Sequence, residues 1–332
     1  MSNELRNPTP DAAADWATTR SESETSRCVH PLLGRRADAV DKGVVYETGL
    51  NIHWPAYLAD HCIYGSAVLP AAAYVEMALA AATAACPGQD VILQGLAIQQ
   101  AMFLEPDATR TVRTLLTREE PDLFSFRVCS RAEADAQVES AWAEHASGKL
   151  IAQTKGPSPA PVDLETLGST LPQTLEATEL YQACHQRGLE YGPQFQAVRS
   201  LRTRDRQALG EIRIADHLAD QAAGYLLHPA LLDACLQTLA AALQFDDISS
   251  ALLPVGIDQV RVYVPGQSRV WSHARITADA NAGKSLTADI DILSAEGQFV
   301  ASVEGLRIRR VKKKMLARSR QRDAGQAVSR VG

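Results

Sequence analysis

Hydrophobic and polar positions along this chain fall into two similar blocks, separated by a proline-rich stretch. In the first block, residues 44–52 read as a strand. Residues 69–85 (LPAAAYVEMALAAATAA) are apolar nearly all round, with Pro70 suited to the first turn of a helix. That pattern predicts a buried helix rather than a surface one. Strands are predicted at 91–104, 110–118, 123–131 and 141–152. The clearest is the alternation of Phe124, Phe126 and Val128 with Ser125 and Arg127. The second block repeats the plan. A short helix over 179–187 leads to strands at 195–202 and 206–214. A helix over 229–244 (PALLDACLQTLAAALQ) again has a proline at its start. Strands follow at 258–264, 269–277, 286–293 and 298–310.

Each block thus holds one long apolar helix and a set of strands, a repeat of architecture rather than of sequence. A helix wrapped by an antiparallel sheet is an α+β unit. The predicted organisation is a disordered segment over 1–27, a first unit over 28–152, a linker over 153–175, a second unit over 176–312 and a basic disordered tail over 313–332. Pro157, Pro159, Pro161 and Pro172 mark the linker. Two such units side by side leave a cleft, a favoured place for a ligand. The tail (Arg309, Arg310, Lys312, Lys313, Lys314, Arg318, Arg320, Arg322) reads as a solvated linker to a following domain in preference to a site for an anionic partner.

Composition narrows the chemistry. With 332 residues, 46% of them apolar, the chain can bury a sizeable core. A formal net charge of −6 gives no general signal for nucleic acid. No apolar run approaches the roughly 18 residues needed to span a bilayer, so no membrane role is expected. The N-terminus is polar and acidic, unlike a secretory signal. Cys28, Cys62, Cys86, Cys129, Cys184 and Cys235 are scattered and form no C-x-x-C pair. That argues against zinc and against a disulfide framework, and the cytoplasm is the expected compartment. There is no phosphate-binding glycine loop, no dinucleotide fingerprint and no H-E-x-x-H. Side chains must do the chemistry.

Two candidates stand out. His61 precedes Gly65 and Pro70 in DHCIYGSAVLP, just ahead of the first long helix. Histidine is the side chain suited to exchanging protons at physiological pH, and the glycine permits close approach of a ligand to backbone N–H groups. Asp233 lies in the second long helix with Gln237 four residues on, on the same face. Among Ala230, Leu231, Leu232, Ala234, Cys235 and Leu236, a carboxyl is expected to titrate above its ordinary range and to act as a general acid. The alternative for Asp233 is a solvent-facing residue interacting with the helix dipole. A base and an acid, one from each block, suit elimination of water beside a carbonyl. Cys62 adjoins His61, but neighbouring residues rarely converge on one substrate atom, and no third group orients them.

These residues resemble the dehydratase domains of modular polyketide synthases over roughly residues 30–312. His61, Gly65 and Pro70 match an H-x-x-x-G-x-x-x-x-P motif. Tyr191, Gly192, Pro193 and Phe195 match Y-G-P-x-F. Asp233 and Gln237 match D-x-x-x-Q/H within a string opened by His228 and Pro229. Leu253-Pro254 with Tyr263, the opening His30-Pro31-Leu32-Leu33-Gly34, and the run from Trp142 to Gly148 are also similar.

The resemblance implies a double hotdog fold. It implies dehydration of a β-hydroxyacyl thioester on an acyl carrier protein to the trans α,β-unsaturated thioester, with His61 as base and Asp233 as acid. It also implies that Tyr191 lines the pocket and helps hold the departing hydroxyl, and that the backbone at Gly65 helps bind the thioester carbonyl. No cofactor beyond the carrier's phosphopantetheine is implied. The partners implied are the carrier protein, neighbouring synthase domains and a second copy in a homodimer. Three departures from the family pattern are visible, the first being Leu189-Glu190 where an aromatic often precedes the Tyr191 motif. Tyr64 stands where a small residue is common, either shaping the acyl pocket or packing outward. Ala71-Ala72-Ala73 replace Gly-Thr-Gly-like residues. Related double-hotdog cyclases and pyran-forming domains carry a similar His/Asp pair and compete with this reading, as does a non-catalytic acyl-binding module. The polar ends suggest a segment cut from a longer assembly.

Overall fold

The computed structural model describes residues 28–37, 43–132, 142–243, 250–280 and 285–325. The first half contains β1 (Cys28–His30), β2 (Gly34–Ala37), β3 (Gly43–Leu50), β4 (His61–Ile63), β5 (Ser66–Ala67), α1 (Ala71–Ala85), β6 (Asp90–Ile98), β7 (Arg110–Glu120), β8 (Leu123–Ala132) and β9 (Ala143–Gln153). Next come α2 (Leu164–Thr170), β10 (Gln173–Glu176), α3 (Ala177–Gln186), β11 (Leu189–Tyr191), β12 (Val198–Arg204), β13 (Gln207–Arg213), α4 (Asp216–Ala222) and α5 (Pro229–Ala242). The chain closes with β14 (Ala251–Val262), β15 (Arg269–Ala280), β16 (Ser285–Leu293), β17 (Phe299–Val311) and α6 (Lys313–Gly325).

Fourteen of the strands form one sheet, in the order β1-β2-β3-β7-β8-β9-β6-β14-β17-β16-β15-β13-β12-β10. Every pairing is antiparallel. The two halves meet where β6 pairs with β14, Leu93 opposite Val260 and Leu96 opposite Ile257. Each half curls around its own helix. Along β16 the inward positions Leu286, Ala288, Ile290 and Ile292 are buried and alternate with half-buried ones, as a strand packed on one face requires. Helix α1 is buried from Ala72 through Ala82, and α5 is buried everywhere except Ala240. Alanine on both helices lets the sheet close tightly around them.

Glu76 fastens the halves from inside. It lies on α1 with no exposure to solvent and accepts N–H bonds from Leu226 and Leu227, both at 2.8 Å, in the segment leading into α5. His30 completes the set. Its Nδ1 accepts from the Leu32 N–H, so Nε2 carries the hydrogen and donates to Glu76 at 3.0 Å. Three donors compensate for taking a carboxyl out of water.

Four expectations change. The 153–175 stretch is not wholly a linker, since it contains α2 and most of β10. Asp163 caps α2 by accepting the Glu165 and Thr166 N–H groups at 3.0 Å. The basic tail is helical over Lys313–Gly325 rather than disordered, because ion pairs hold it to the first half. The strand expected at 258–264 begins at Ala251. Pro254 is tolerated there by a register shift between Pro254 and Gly256. The strand expected at 91–104 stops at Ile98. The expectation for residues 1–27 and that for 326–332 lie outside the described residues.

Candidate active site

His61 opens β4, the middle strand of a small three-stranded sheet in the order β11-β4-β5. A two-residue turn, Tyr64-Gly65, joins β4 to β5. Both of its residues have positive φ, 50° and 78°, as the tightest hairpin turns demand. The hairpin folds Val68 back onto His61. The Val68 carbonyl sits 2.8 Å from His61 Nδ1 and can only accept, so Nδ1 carries the hydrogen and Nε2 keeps a free lone pair. His61 as a whole is 6% exposed.

On the other side, Tyr191 pairs with His61 across β11 and β4. The chain then turns at Gly192-Pro193 onto the residue before His61. The Gly192 N–H donates to the Asp60 carbonyl at 2.7 Å, and the Gln194 N–H donates to the Asp60 carboxylate at 2.9 Å. A side chain at 192 would collide with Asp60, which explains the glycine. Pro193 starts a single 3-10 turn that ends at Phe195. Phe195 packs its ring against His61, centroids 5.2 Å apart, with Tyr191 at 5.7 Å.

Asp233 reaches the same place from α5. Its Oδ1 stands 3.8 Å from His61 Nε2, too long for a hydrogen bond, so neither group is consumed by the other. Its Oδ2 accepts from the Gln237 amide at 2.8 Å. That amide donates also to the Phe195 carbonyl at 3.1 Å, while its oxygen accepts from the Tyr181 hydroxyl at 3.2 Å. The Tyr181 oxygen in turn accepts the Val198 N–H at 2.9 Å, which leaves its hydrogen for Gln237. Tyr181 therefore decides which way the Gln237 amide faces. Burial pushes the Asp233 carboxyl above its ordinary range, against the opposing effects of His61 and the Gln237 hydrogen bond. The shift is in the direction that makes Asp233 easier to protonate than an exposed carboxyl.

His61 and Asp233 line one cavity of about 310 Å³ between the halves. Tyr191 and Gln237 line it too. Burial, and next the nearby Asp233, raise the Tyr191 hydroxyl well above its usual range, so it is a donor at neutral pH. Leu253 and Pro254 line the cavity as well, whereas Gly65, Pro70, Gly192, Pro193 and Tyr64 stand outside the lining. Gly65 is exposed in its turn and does not border the cavity. Pro70 precedes α1, and Ala71 is the first residue of that helix on the cavity wall. Tyr64 does not face the cavity. Its hydroxyl donates to the Val311 carbonyl at 2.9 Å and accepts the Ala251 N–H at 3.0 Å, tying the end of β17 to the start of β14. Cys62 lies next to His61 in β4. Its thiol donates to the Ala59 carbonyl at 3.4 Å, and burial beside Glu190 and Asp60 raises it.

Sequence reading missed Tyr181, Cys184 and Arg187. Leu180, Tyr181 and Cys184 fall on one face of α3, so their spacing flagged burial but not the partner each would meet. Cys184 borders the cavity with its thiol pushed up to about 12 by burial. Arg187 borders it too and donates to the Ala183 carbonyl at 2.8 Å.

The polyketide synthase dehydratase domain model matches residues 30–131, and the polyketide synthase dehydratase N-terminal domain model matches residues 159–318. Phthioceranic/hydroxyphthioceranic acid synthase of Mycobacterium bovis is 32% identical over 298 residues, 87% of this chain but 14% of the synthase. The mycocerosic acid synthase-like polyketide synthase of Mycobacterium tuberculosis is 29% identical over 301 residues, 89% of this chain and 14% of its own length. This chain therefore spans only a small part, 14%, of the length of these curated relatives. Among solved structures, the dehydratase domain from the CurK module of the curacin polyketide synthase superposes with a TM-score of 0.78. It is 29% identical and covers 86% of this chain and 99% of that one. An inactive mutant of the CurK dehydratase, with asparagine in place of an aspartate, is 30% identical with a TM-score of 0.77, covering 85% and 99%.

Proposed function

Given that the chain belongs to the dehydratase domains of polyketide synthases and has their double hotdog fold, we propose that His61 and Asp233 together remove water from a β-hydroxyacyl thioester. The observation that carries the reading is the pair itself. A free imidazole lone pair and a carboxyl biased toward protonation face each other across 3.8 Å in one cavity.

The chemistry follows from the two groups. His61 Nε2 takes the α-proton as electrons move toward the thioester carbonyl. The first turn of α1, whose Ala71 borders the cavity, presents the positive end of the helix to that developing charge. As the C–O bond breaks, Asp233 gives its proton to the departing hydroxyl, which leaves as water. The Tyr191 hydroxyl donates a hydrogen bond to the same oxygen. A proton returning from His61 to Asp233 restores both groups. Gln237 holds Oδ2, leaving Oδ1 to carry the reacting proton. In support of this reading, the inactive mutants of the CurK dehydratase replace a histidine by phenylalanine and an aspartate by asparagine.

So read, the protein is a hydro-lyase that uses no cofactor. Its acyl chain is carried on the phosphopantetheine of an acyl carrier protein, and its product is the trans enoyl thioester. The chain would work as one domain of a dimeric, cytoplasmic synthase. Among the described residues, no helix is long and apolar enough to cross a membrane.

The test is direct. Purified protein given a 3-hydroxyacyl pantetheine or carrier-protein thioester should yield the enoyl thioester, with mass lower by one water. His61→Ala should slow turnover by about 10²- to 10⁴-fold, the usual reach of general acid–base help. Binding of the thioester without loss of water defeats the reading.

A further inference from the structure

We propose that helix α6 is a wall of the acyl-binding cavity, and that Leu316 and Met315 on it select which acyl chains the site takes. The proposal rests on the reading that this cavity receives a β-hydroxyacyl thioester. Met315, Leu316 and Ser319 border the same cavity as His61 and Asp233. Spaced i, i+1 and i+4, they share one side of the helix. The rest of α6 is strongly polar, so these two apolar side chains form its only large hydrophobic surface. Leu316 is 6% exposed within the core, and Met315 is 51% exposed at the rim.

A helix of this composition has little reason to adhere by its own apolar face. Specific anchors hold it instead. Before it, the Tyr64 hydroxyl binds the Val311 carbonyl at the end of β17. Along it, Arg320 donates to both oxygens of Glu105, at 2.8 and 2.9 Å from Nη2, and to Ser66 Oγ at 3.2 Å. Near its end, Asp323 accepts two bonds from Arg110, at 2.8 and 3.1 Å, with both side chains largely buried. Arg110 Nε also donates to Ser130, which bonds His145. Tyr64 and Ser66 belong to the hairpin that begins at His61. The second half thus sends its last helix across to the strand carrying the base, and that helix fills part of the space beside it.

If α6 is a wall, changing the volume of its inner side chains changes which substrates fit, while leaving His61 and Asp233 in place. The experiment measures kcat/KM for short-chain and long-chain 3-hydroxyacyl pantetheine thioesters in the whole chain. Leu316→Ala should raise the long-to-short ratio by about tenfold, and Leu316→Trp should lower it by a similar factor, the lower range of discrimination by one missing or added apolar group. Met315→Trp at the half-exposed rim leaves the core intact and should also lower the ratio. Exposed Lys313→Ala should leave it unchanged. Folding of each variant is checked by circular dichroism. Wild-type ratios in all folded variants at 315 and 316 overturn the proposal. The dehydratase reading is judged separately, by loss of water from the wild type. Where the wild type binds thioesters without eliminating water, dissociation constants from calorimetry give the same ratio. A variant-sensitive ratio then supports the wall while the dehydratase reading fails. A wild type that binds no thioester of either length overturns both.

Discussion

Two buried carboxyls, Glu76 on α1 and Asp233 on α5, occupy the central helices of the two halves and are put to opposite uses. Glu76 is enclosed completely and accepts three hydrogen bonds, from Leu226, Leu227 and His30. Asp233 is nearly as enclosed, at 5% exposure, but among the described residues accepts only from Gln237 and turns its other oxygen to His61 and the cavity. Saturated with donors, a buried carboxyl becomes a structural tie. Left half-satisfied, it is pushed toward the protonated form, which is what the acid proposed above requires. Burial alone therefore does not separate the two carboxyls, and the number and placement of donors do.

The sharpest way to break the comparison is Asp233→Asn, which keeps the shape and removes the proton. Elimination should fall by about 10²- to 10⁴-fold, measured as enoyl thioester formed per unit time. Stability should move the other way. Burial raises the folded pKa of Asp233 above its ordinary value, so the folded state holds this proton more tightly than the unfolded state. Its contribution then falls as pH rises from the unfolded value through the folded one. At neutral pH the asparagine variant should melt at a higher temperature than wild type, and the gap should narrow as pH is lowered. For activity, the same shift predicts that kcat/KM declines on the alkaline side as Asp233 ionises. An alkaline limb that survives in residual Asp233→Asn turnover would assign it to another group.

Glu76→Ala tests the other member. It strands the Leu226 and Leu227 N–H groups and leaves a cavity, so about 3–5 kcal/mol of stability should be lost in denaturant melts. A cost under about 1 kcal/mol would remove Glu76 as the tie between the halves. Glu76→Gln keeps the acceptor oxygen and should recover part of the loss. The smallest effect is expected from Tyr181→Phe. It frees the Gln237 amide and strands the Val198 N–H, costing about 1–3 kcal/mol of stability. Turnover should fall about three- to tenfold, with kcat affected more than KM, because Asp233 is less well oriented. An unchanged kcat would show that Gln237 holds its orientation without Tyr181.

Legibility of the fold followed periodicity. The two long helices were readable from unbroken apolar runs, and strands such as Leu123–Ala132 from their alternation. Short elements were not. The three-residue strands His61–Ile63 and Leu189–Tyr191 carry too few residues for a period, yet their pairing brings His61 and Tyr191 together. Helix α6 escaped notice because its anchors, Glu105 and Arg110, lie more than 200 residues away in the chain. At the site, His61, Asp233 and Gln237 were legible as residue types in revealing company. The tasks of Gly65 and Tyr64 were not. Gly65 forms a tight turn with positive φ, and Tyr64 ties the end of β17 to the start of β14.

By itself the chain determined its two helix-and-sheet halves, the residues able to act as base and acid, and the family they resemble. These depend on local periodicity and on the chemistry of single side chains, both written in order along the sequence. Only the tertiary structure decided that His61 Nε2 faces Asp233 Oδ1, that Tyr181 sets the Gln237 amide, that Glu76 is a tie, and that a polar tail becomes a wall of the cavity. Each of these is a contact between residues far apart in the chain, where geometry and donor count, rather than residue type, determine the outcome.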